Sequence, residues 1–292
     1  MRGTATRTSS LALPPPTRYQ KVAYACGALL LAAGAFHFIV FLIKGGPWEG
    51  PISWRKPVLF GFSFGITVVT LTWVMSFLKL KPLSGWIAAG VMSVSALLEV
   101  FLVSMQKWRG VESHFNDKTT FDSSVFGIMG LMVGVMIFVI VYLTVRAFIR
   151  LEAPPSLALG IRLGFLILLL SQATGIMMIA VYGNVWGDAG AMKTPHALTM
   201  HGIQVLPALA VLLGRADTTE ERRVRLVRMA AMGYAALAAA TLIQTYSGRA
   251  TFDVLPVSVP IAVLGFTLLG AVGLLALLGL RPARNGRQVN PT

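Results

Sequence analysis

Apolar residues run in long blocks along this chain, and polar residues gather in the gaps between them. A bilayer core asks about 20 consecutive apolar residues of a spanning helix. Eight blocks meet that demand, near 22–43, 57–78, 83–106, 123–149, 159–182, 197–214, 229–247 and 257–280. The pattern predicts an all-α fold: a polytopic membrane helix bundle of about eight transmembrane helices, forming one domain over 21–281. A disordered, basic and Pro-rich tail is expected over 1–20, and a polar tail over 282–292. The block after Lys21 has no small-residue cleavage pattern, so it is expected to be a first span and not a signal peptide. No tandem repeat or inverted repeat is evident along the chain.

The gaps fall into two kinds. Arg2, Arg7, Arg18, Lys21, Lys79, Lys81, Arg146, Arg150, Arg162, Arg215, Arg222, Arg223, Arg225, Arg228, Arg281, Arg284 and Arg287 fall on one side of the alternation. Lys44, Arg55, Lys56, Lys107, Arg109, Lys118, Lys193 and Arg249 fall on the other. Cytoplasmic loops carry the excess of Lys and Arg, so both termini are expected in the cytoplasm and the chain in the cell's inner (plasma) membrane. The cytoplasmic connections, Arg222-Arg223-Val224-Arg225 among them, read as short basic loops. The outer loops hold the unusual residues, and function is expected there.

Composition narrows the classes further. Charged residues are 12% of the chain and hydrophobic ones 55%, yet the formal net charge is +14. These values exclude a disordered chain and an ordinary soluble enzyme. The basic excess follows membrane side and forms no recognition face, so it suits anionic lipid headgroups and not nucleic acid. Membrane lipid and a lipidic or small-molecule substrate are the expected partners; the oligomeric state is not readable. The single cysteine, Cys26, cannot form an intramolecular disulfide or a thiolate metal cluster.

Charge inside a bilayer asks for a reason. One acid lies within a predicted span: Glu99, seven residues from Gln106 and about 10 Å deep at the 1.5 Å helical rise. His37 lies at similar depth in the first span. Gln172, His201, Gln204 and Gln244 occupy the middle or outer halves of others. This common depth predicts one shared polar cavity opening outward. Glu99 is expected to work as a neutral proton donor; as a locked pair, its partner would be Arg109 or His37.

Two outer segments concentrate chemistry. One is Gln106-Lys107-Trp108-Arg109-Gly110-Val111-Glu112-Ser113-His114-Phe115-Asn116, running on to Asp122. The other is Pro195-His196-Ala197-Leu198-Thr199-Met200-His201-Gly202-Ile203-Gln204. With Trp54-Arg55-Lys56-Pro57 they resemble a family of bacterial multi-spanning inner-membrane proteins that share W-x-K-P, R-G-x-x-S-H-F-N and H-x4-H-x2-Q segments. The resemblance covers residues 25–250 and implies the helical architecture; it carries no activity with it.

Spacing excludes several chemistries. His196 and His201 are five apart, about 140° round a helix, which is poor for a shared metal unless His196 precedes the helix and His114 joins them. Haem between His37 and His201 is geometrically conceivable, but no metal or other cofactor is expected. Ser113 and His114 are adjacent and would not face each other in an extended loop, and no G-x-S-x-G is present. The expected function is an integral membrane enzyme acting on a lipidic substrate by Glu and His acid–base chemistry. One concrete form is proton-initiated cyclisation or isomerisation of an isoprenoid, with aromatic faces stabilising the cation. The expected catalytic groups are Glu99, His201, His114 and Asp122. Substrate contacts are expected from His37, Trp54, Gln106, Trp108, Arg109, Asn116, Gln172, His196, Gln204 and Gln244. The alternatives are a proton-coupled transporter of a small solute or lipid, and a haem or quinone redox protein.

Overall fold

The computed structural model describes residues 15–279. The tail readings at 1–14 and 280–292, with Arg2, Arg7, Arg281, Arg284 and Arg287, lie outside the described residues. Within them the chain forms α1 (Arg18–Lys44), α2 (Arg55–Met75), α3 (Pro82–Arg109), α4 (Thr120–Ile149) and α5 (Pro155–Ala180). It continues through β1 (Val185–Trp186), β2 (Gly190–Ala191), α6 (Lys193–Met200), α7 (Gly202–Gly214), α8 (Glu220–Tyr246) and α9 (Ser258–Gly279). Eight helical spans, with α6 and α7 acting as one, are long and apolar enough to cross a membrane. Large apolar side chains such as Leu29, Phe36, Phe138, Phe266 and Leu277 point outward, as a lipid solvent permits.

The expected boundaries need three corrections. The first helix starts at Arg18, because Gln20 turns back to accept from the Thr17 amide (2.9 Å) and donates to Ser76 Oγ (2.7 Å). Arg222-Arg223-Val224-Arg225 is not a loop: Thr219 caps the helix through the Arg222 amide (3.4 Å), Glu220 and Glu221 suit the dipole, and the basic run becomes the first turns of α8. The sixth span is not continuous. It breaks at His201 (φ −88°, ψ 1°) between α6 and α7. The short antiparallel β1–β2 pair before α6 was not foreseen either.

Lipid gives helices no hydrophobic reason to associate, so close backbone approach matters. The α1–α2 and α8–α9 pairs show it. A Cβ on Gly61 would fall 2.6 Å from Gly34 Cα, and one on Gly233 would fall 2.8 Å from Leu269 N. The main core then fills with Leu71, Met92, Leu143, Ile161, Phe165 and Leu206. A smaller cluster of Leu102, Val103, Val125 and Met129, packed against Phe60, lies near the opposite end of α3. The connections after α1, α3, α5 and α8 all emerge at that end, here termed the long-loop end. The connections at the other end are short.

Candidate functional site

The loop over residues 110–119 builds the site. Gly110 ends α3 in a left-handed conformation (φ 73°), which lets Val111 N return to the Gln106 carbonyl (3.1 Å). Phe115 takes φ 54°, unusual for a bulky residue. The two bends fold the loop back against α3. Asn116 holds the fold from inside: 1% exposed, it donates to the Glu112 carbonyl (2.8 Å) and accepts from the Lys118 amide (3.2 Å).

The bend brings His114 over Glu99. Glu99 Oε1 lies 3.5 Å from His114 Nε2, and the carboxylate is 2% exposed. Its other oxygen, Oε2, has no hydrogen-bond partner. The partner of Glu99 is therefore neither Arg109 nor His37, as the sequence suggested, but His114. The Ser113 and His114 side chains also meet, Oγ to Nδ1 at 2.9 Å, because the loop is bent and not extended. Lys56 Nζ reaches the same Ser113 Oγ at 3.5 Å. The result is a line of groups, Glu99, His114, Ser113 and Lys56, running from depth toward the long-loop end. Phe60 (5.3 Å between ring centroids) and Phe126 (6.1 Å) pack on the imidazole, and Phe115 and Tyr182 stack beyond them.

Asp122 anchors the loop's far end. Its Oδ1 accepts from Gln106 Nε2 (2.9 Å) and Arg109 Nη1 (2.6 Å), and its Oδ2 accepts from Thr119 Oγ1 (2.7 Å). Arg109 also donates to Gln106 and lies over the Phe121 ring. These bonds tie the start of α4 to the end of α3.

Next to this cluster stands an aromatic group. His37 Nδ1 meets the Ala33 carbonyl (2.7 Å), and its Nε2 accepts from Trp108 Nε1 (3.2 Å). Both nitrogens are thus engaged in hydrogen bonds. Trp54 packs edge-on against Trp108 at 5.3 Å, and Lys107 lies over Trp54.

The remaining residues make hydrogen bonds within separate groups of their own. His196 Nδ1 bonds to Ser171. Gln172 donates to the Leu168 carbonyl of its own helix (3.3 Å). Gln204, with its amide assigned so that nitrogen faces the Met200 and His201 carbonyls (3.1 and 3.2 Å), accepts from Thr67 Oγ1. It thereby satisfies carbonyls at the break between α6 and α7. His201 sits at that break, half-buried. Gln244 makes four bonds, all to the α8–α9 turn or the start of α9: Ala250 O, Asp253 O, Leu255 N and Ser258 Oγ. Among the described residues no three His, Cys, Asp or Glu side chains converge as metal ligands, so His114, His196 and His201 are not grouped.

Ser113, Lys56 and the Phe60–Phe126 walls went unselected in the sequence. Lys56 had one available signal: it stands in the first turn of a span, a position where the helix dipole disfavours a cation. One turn below Glu99, on the same face of α3, Ser95 begins an apolar groove of about 330 Å³ lined also by Gly90, Val91, Val94, Met132 and Val135.

Fold and site together define a multi-pass helical bundle with a buried carboxylate–imidazole pair at one end. Comparison with family models, with curated proteins and with solved structures returns no match, so function must be argued from the residues.

Proposed function

We propose that the protein is a bacterial inner-membrane enzyme that carries out acid–base chemistry on a lipidic substrate, with Glu99 and His114 as the proton-transferring pair. The observation that carries this reading is the unpaired Glu99 Oε2. A buried carboxylate oxygen without a partner is costly, and a substrate proton or hydroxyl would satisfy it. His114 bridges Glu99 to Ser113, so a proton gained or lost at depth has a path toward the surface. The apolar groove below Glu99, between α3 and α4, gives a lipid chain a place to lie. By the distribution of Lys and Arg the long-loop end faces outward.

Proton-initiated isomerisation or cyclisation of an isoprenoid fits this set of groups. A proton is added to one alkene carbon and another is removed from a neighbouring carbon, with no net change in electrons. Phe60, Phe115 and Phe126 offer π faces to the intermediate cation. The test uses deuterium. Purified protein incubated in D2O with a total membrane lipid extract should place deuterium on carbon in one lipid class, read by mass spectrometry. Glu99→Gln should place none. Equal incorporation by wild type and variant, or none by either, would defeat the reading.

One observation favours a second reading. A span broken at mid-helix, as at His201, is a common feature of transporter binding sites. A proton-coupled transporter would acidify proteoliposomes when its solute is supplied, and His201→Ala would stop that flux.

A further inference from the structure

The groove between α3 and α4 has an opening that protein packing does not account for. Gly90, in its wall, lies inside α3, where glycine weakens a helix relative to alanine. At Gly61 and Gly233 a neighbouring helix explains the missing side chain, because a Cβ would collide with it; a Cβ on Gly90 would meet nothing within 4 Å. Glycines on α4 and α9 stand equally open, but Gly90 is the one that lines the groove. Its effect there is to leave space.

What the space can hold follows from its walls and size. Val91, Val94, Met132 and Val135 are apolar, and Val94 is exposed, so the groove opens sideways on two helices long and apolar enough to cross a bilayer. Its one hydroxyl, on Ser95, faces the Met132 sulfur at 4.0 Å, a weak acceptor. A volume of about 330 Å³ is at the small end of ligand pockets and takes one chain of roughly ten methylenes, if each fills about the 30 Å³ of a water. It leaves no room for both chains of a phospholipid, nor for a helix of a second copy, about 10 Å across.

Glu99 sets the polar end. It stands one turn above Ser95 and about 13 Å along the helix axis from Gly90, 2% exposed and with Oε2 unpartnered. A hydroxyl both donates and accepts, so it satisfies Oε2 in either protonation state. An anionic headgroup would meet a like charge whenever Glu99 is ionised. Ser95 and Met132 lie between the acid and the rest of the groove, and the unbranched thioether of Met132 can swing aside for a chain.

We propose that this groove is the chain-binding part of the Glu99 site, kept open by Gly90, and that it takes a single-chain lipid alcohol. The hydroxyl meets Glu99 Oε2 and the chain runs past Met132 toward Gly90. Chain binding stands by itself; that the bound lipid is the substrate rests on the acid–base reading above.

The test uses a single-chain alcohol carrying a mid-chain diazirine, photolysed with the detergent-purified protein and mapped by mass spectrometry of peptides. Labelling should concentrate on 90–95 and 132–135, and unlabelled dodecanol should compete while dodecylphosphate and phosphatidylcholine should not. Gly90→Leu, and Val135→Phe from the opposite wall, should each lower labelling at least fivefold without lowering the melting temperature. Gly270→Leu, equally open but on α9, should label like wild type. Labelling spread over all the spans, labelling unchanged in both groove variants, or equal competition by the anionic or two-chain lipid would overturn the proposal. So would a change of oligomeric mass in Gly90→Leu with no labelling of wild type, which would seat a second copy in the groove. Glu99→Gln should keep its labelling and lose deuterium incorporation; if it keeps both, the acid–base reading falls and the chain site stands. Lost labelling with unchanged deuterium incorporation in Gly90→Leu would overturn the assignment of the groove to the substrate.

Discussion

Glu99 and Gln244 are alike in sequence and opposite in structure. Each is a polar residue in the long-loop half of a span, and each is buried, at 2% and 9% exposure. Gln244 has four partners, all from the turn it closes or the first residue of α9. Glu99 has one long contact to His114 and an oxygen with none. Depth and residue type therefore do not distinguish the two; satisfaction of hydrogen-bonding capacity does, and the proposed function of Glu99 rests on that difference. A closed network adds rigidity, whereas an open valence in the same medium is costly unless something binds there.

The largest expected effect breaks the comparison directly. General acid–base groups contribute about 10²–10⁴-fold to rate. Glu99→Gln should therefore lower deuterium incorporation by at least about 10²-fold with little change in thermal stability, because the amide keeps the shape. Gln244→Leu should do the reverse. Its loss strands two carbonyls and an amide N–H at the α8–α9 turn, at about 1–3 kcal/mol for an unsatisfied buried group. A lowered melting temperature with unchanged activity per folded molecule is the expected result. Exchanged outcomes for the two variants would show that hydrogen-bond satisfaction does not distinguish the two roles.

Asp122 tests the middle case, a charged group that is fully satisfied. Asp122→Ala removes the acceptor shared by Gln106, Arg109 and Thr119 and should destabilise by about 2 kcal/mol, below the 3–5 kcal/mol of fully buried pairs because Arg109 is 38% exposed. Activity should fall in step with folded fraction. A loss of turnover in well-folded Asp122→Ala protein would return Asp122 to the catalytic group in which the sequence placed it.

The architecture was legible because a bilayer imposes one rule, about 20 apolar residues per span, and eight blocks obey it. Glu99 stood out for the same reason: charge at that depth is rare. What remained hidden depends on backbone bends. The meeting of Ser113 with His114, and of His114 with Glu99, follows from positive φ at Gly110 and Phe115, and no spacing rule encodes a left-handed phenylalanine. The break at His201 was hidden because an apolar-length rule counts residues and does not register a single bend in the backbone.

The smallest predicted effect decides what Ser113 is. Its hydroxyl touches His114 Nδ1 at 2.9 Å and Lys56 Nζ at 3.5 Å. A serine between an imidazole and an ammonium can be read as a nucleophile or as a group that sets the imidazole tautomer. When the hydroxyl donates to Nδ1, the other ring nitrogen carries the proton and faces Glu99; when it accepts, Nε2 is free to take a proton from Glu99. Either way Ser113 positions the ring, and a hydrogen bond of this kind is worth about 1 kcal/mol. Ser113→Ala should therefore lower deuterium incorporation by only about fivefold, and Ser113→Thr, which keeps the hydroxyl, should recover most of it. A nucleophile would behave differently: its removal would cost about 10³-fold or more, and threonine would not rescue it. A loss of that size would move the chemistry from proton transfer to acyl transfer and make Ser113, not Glu99, the residue on which the site turns.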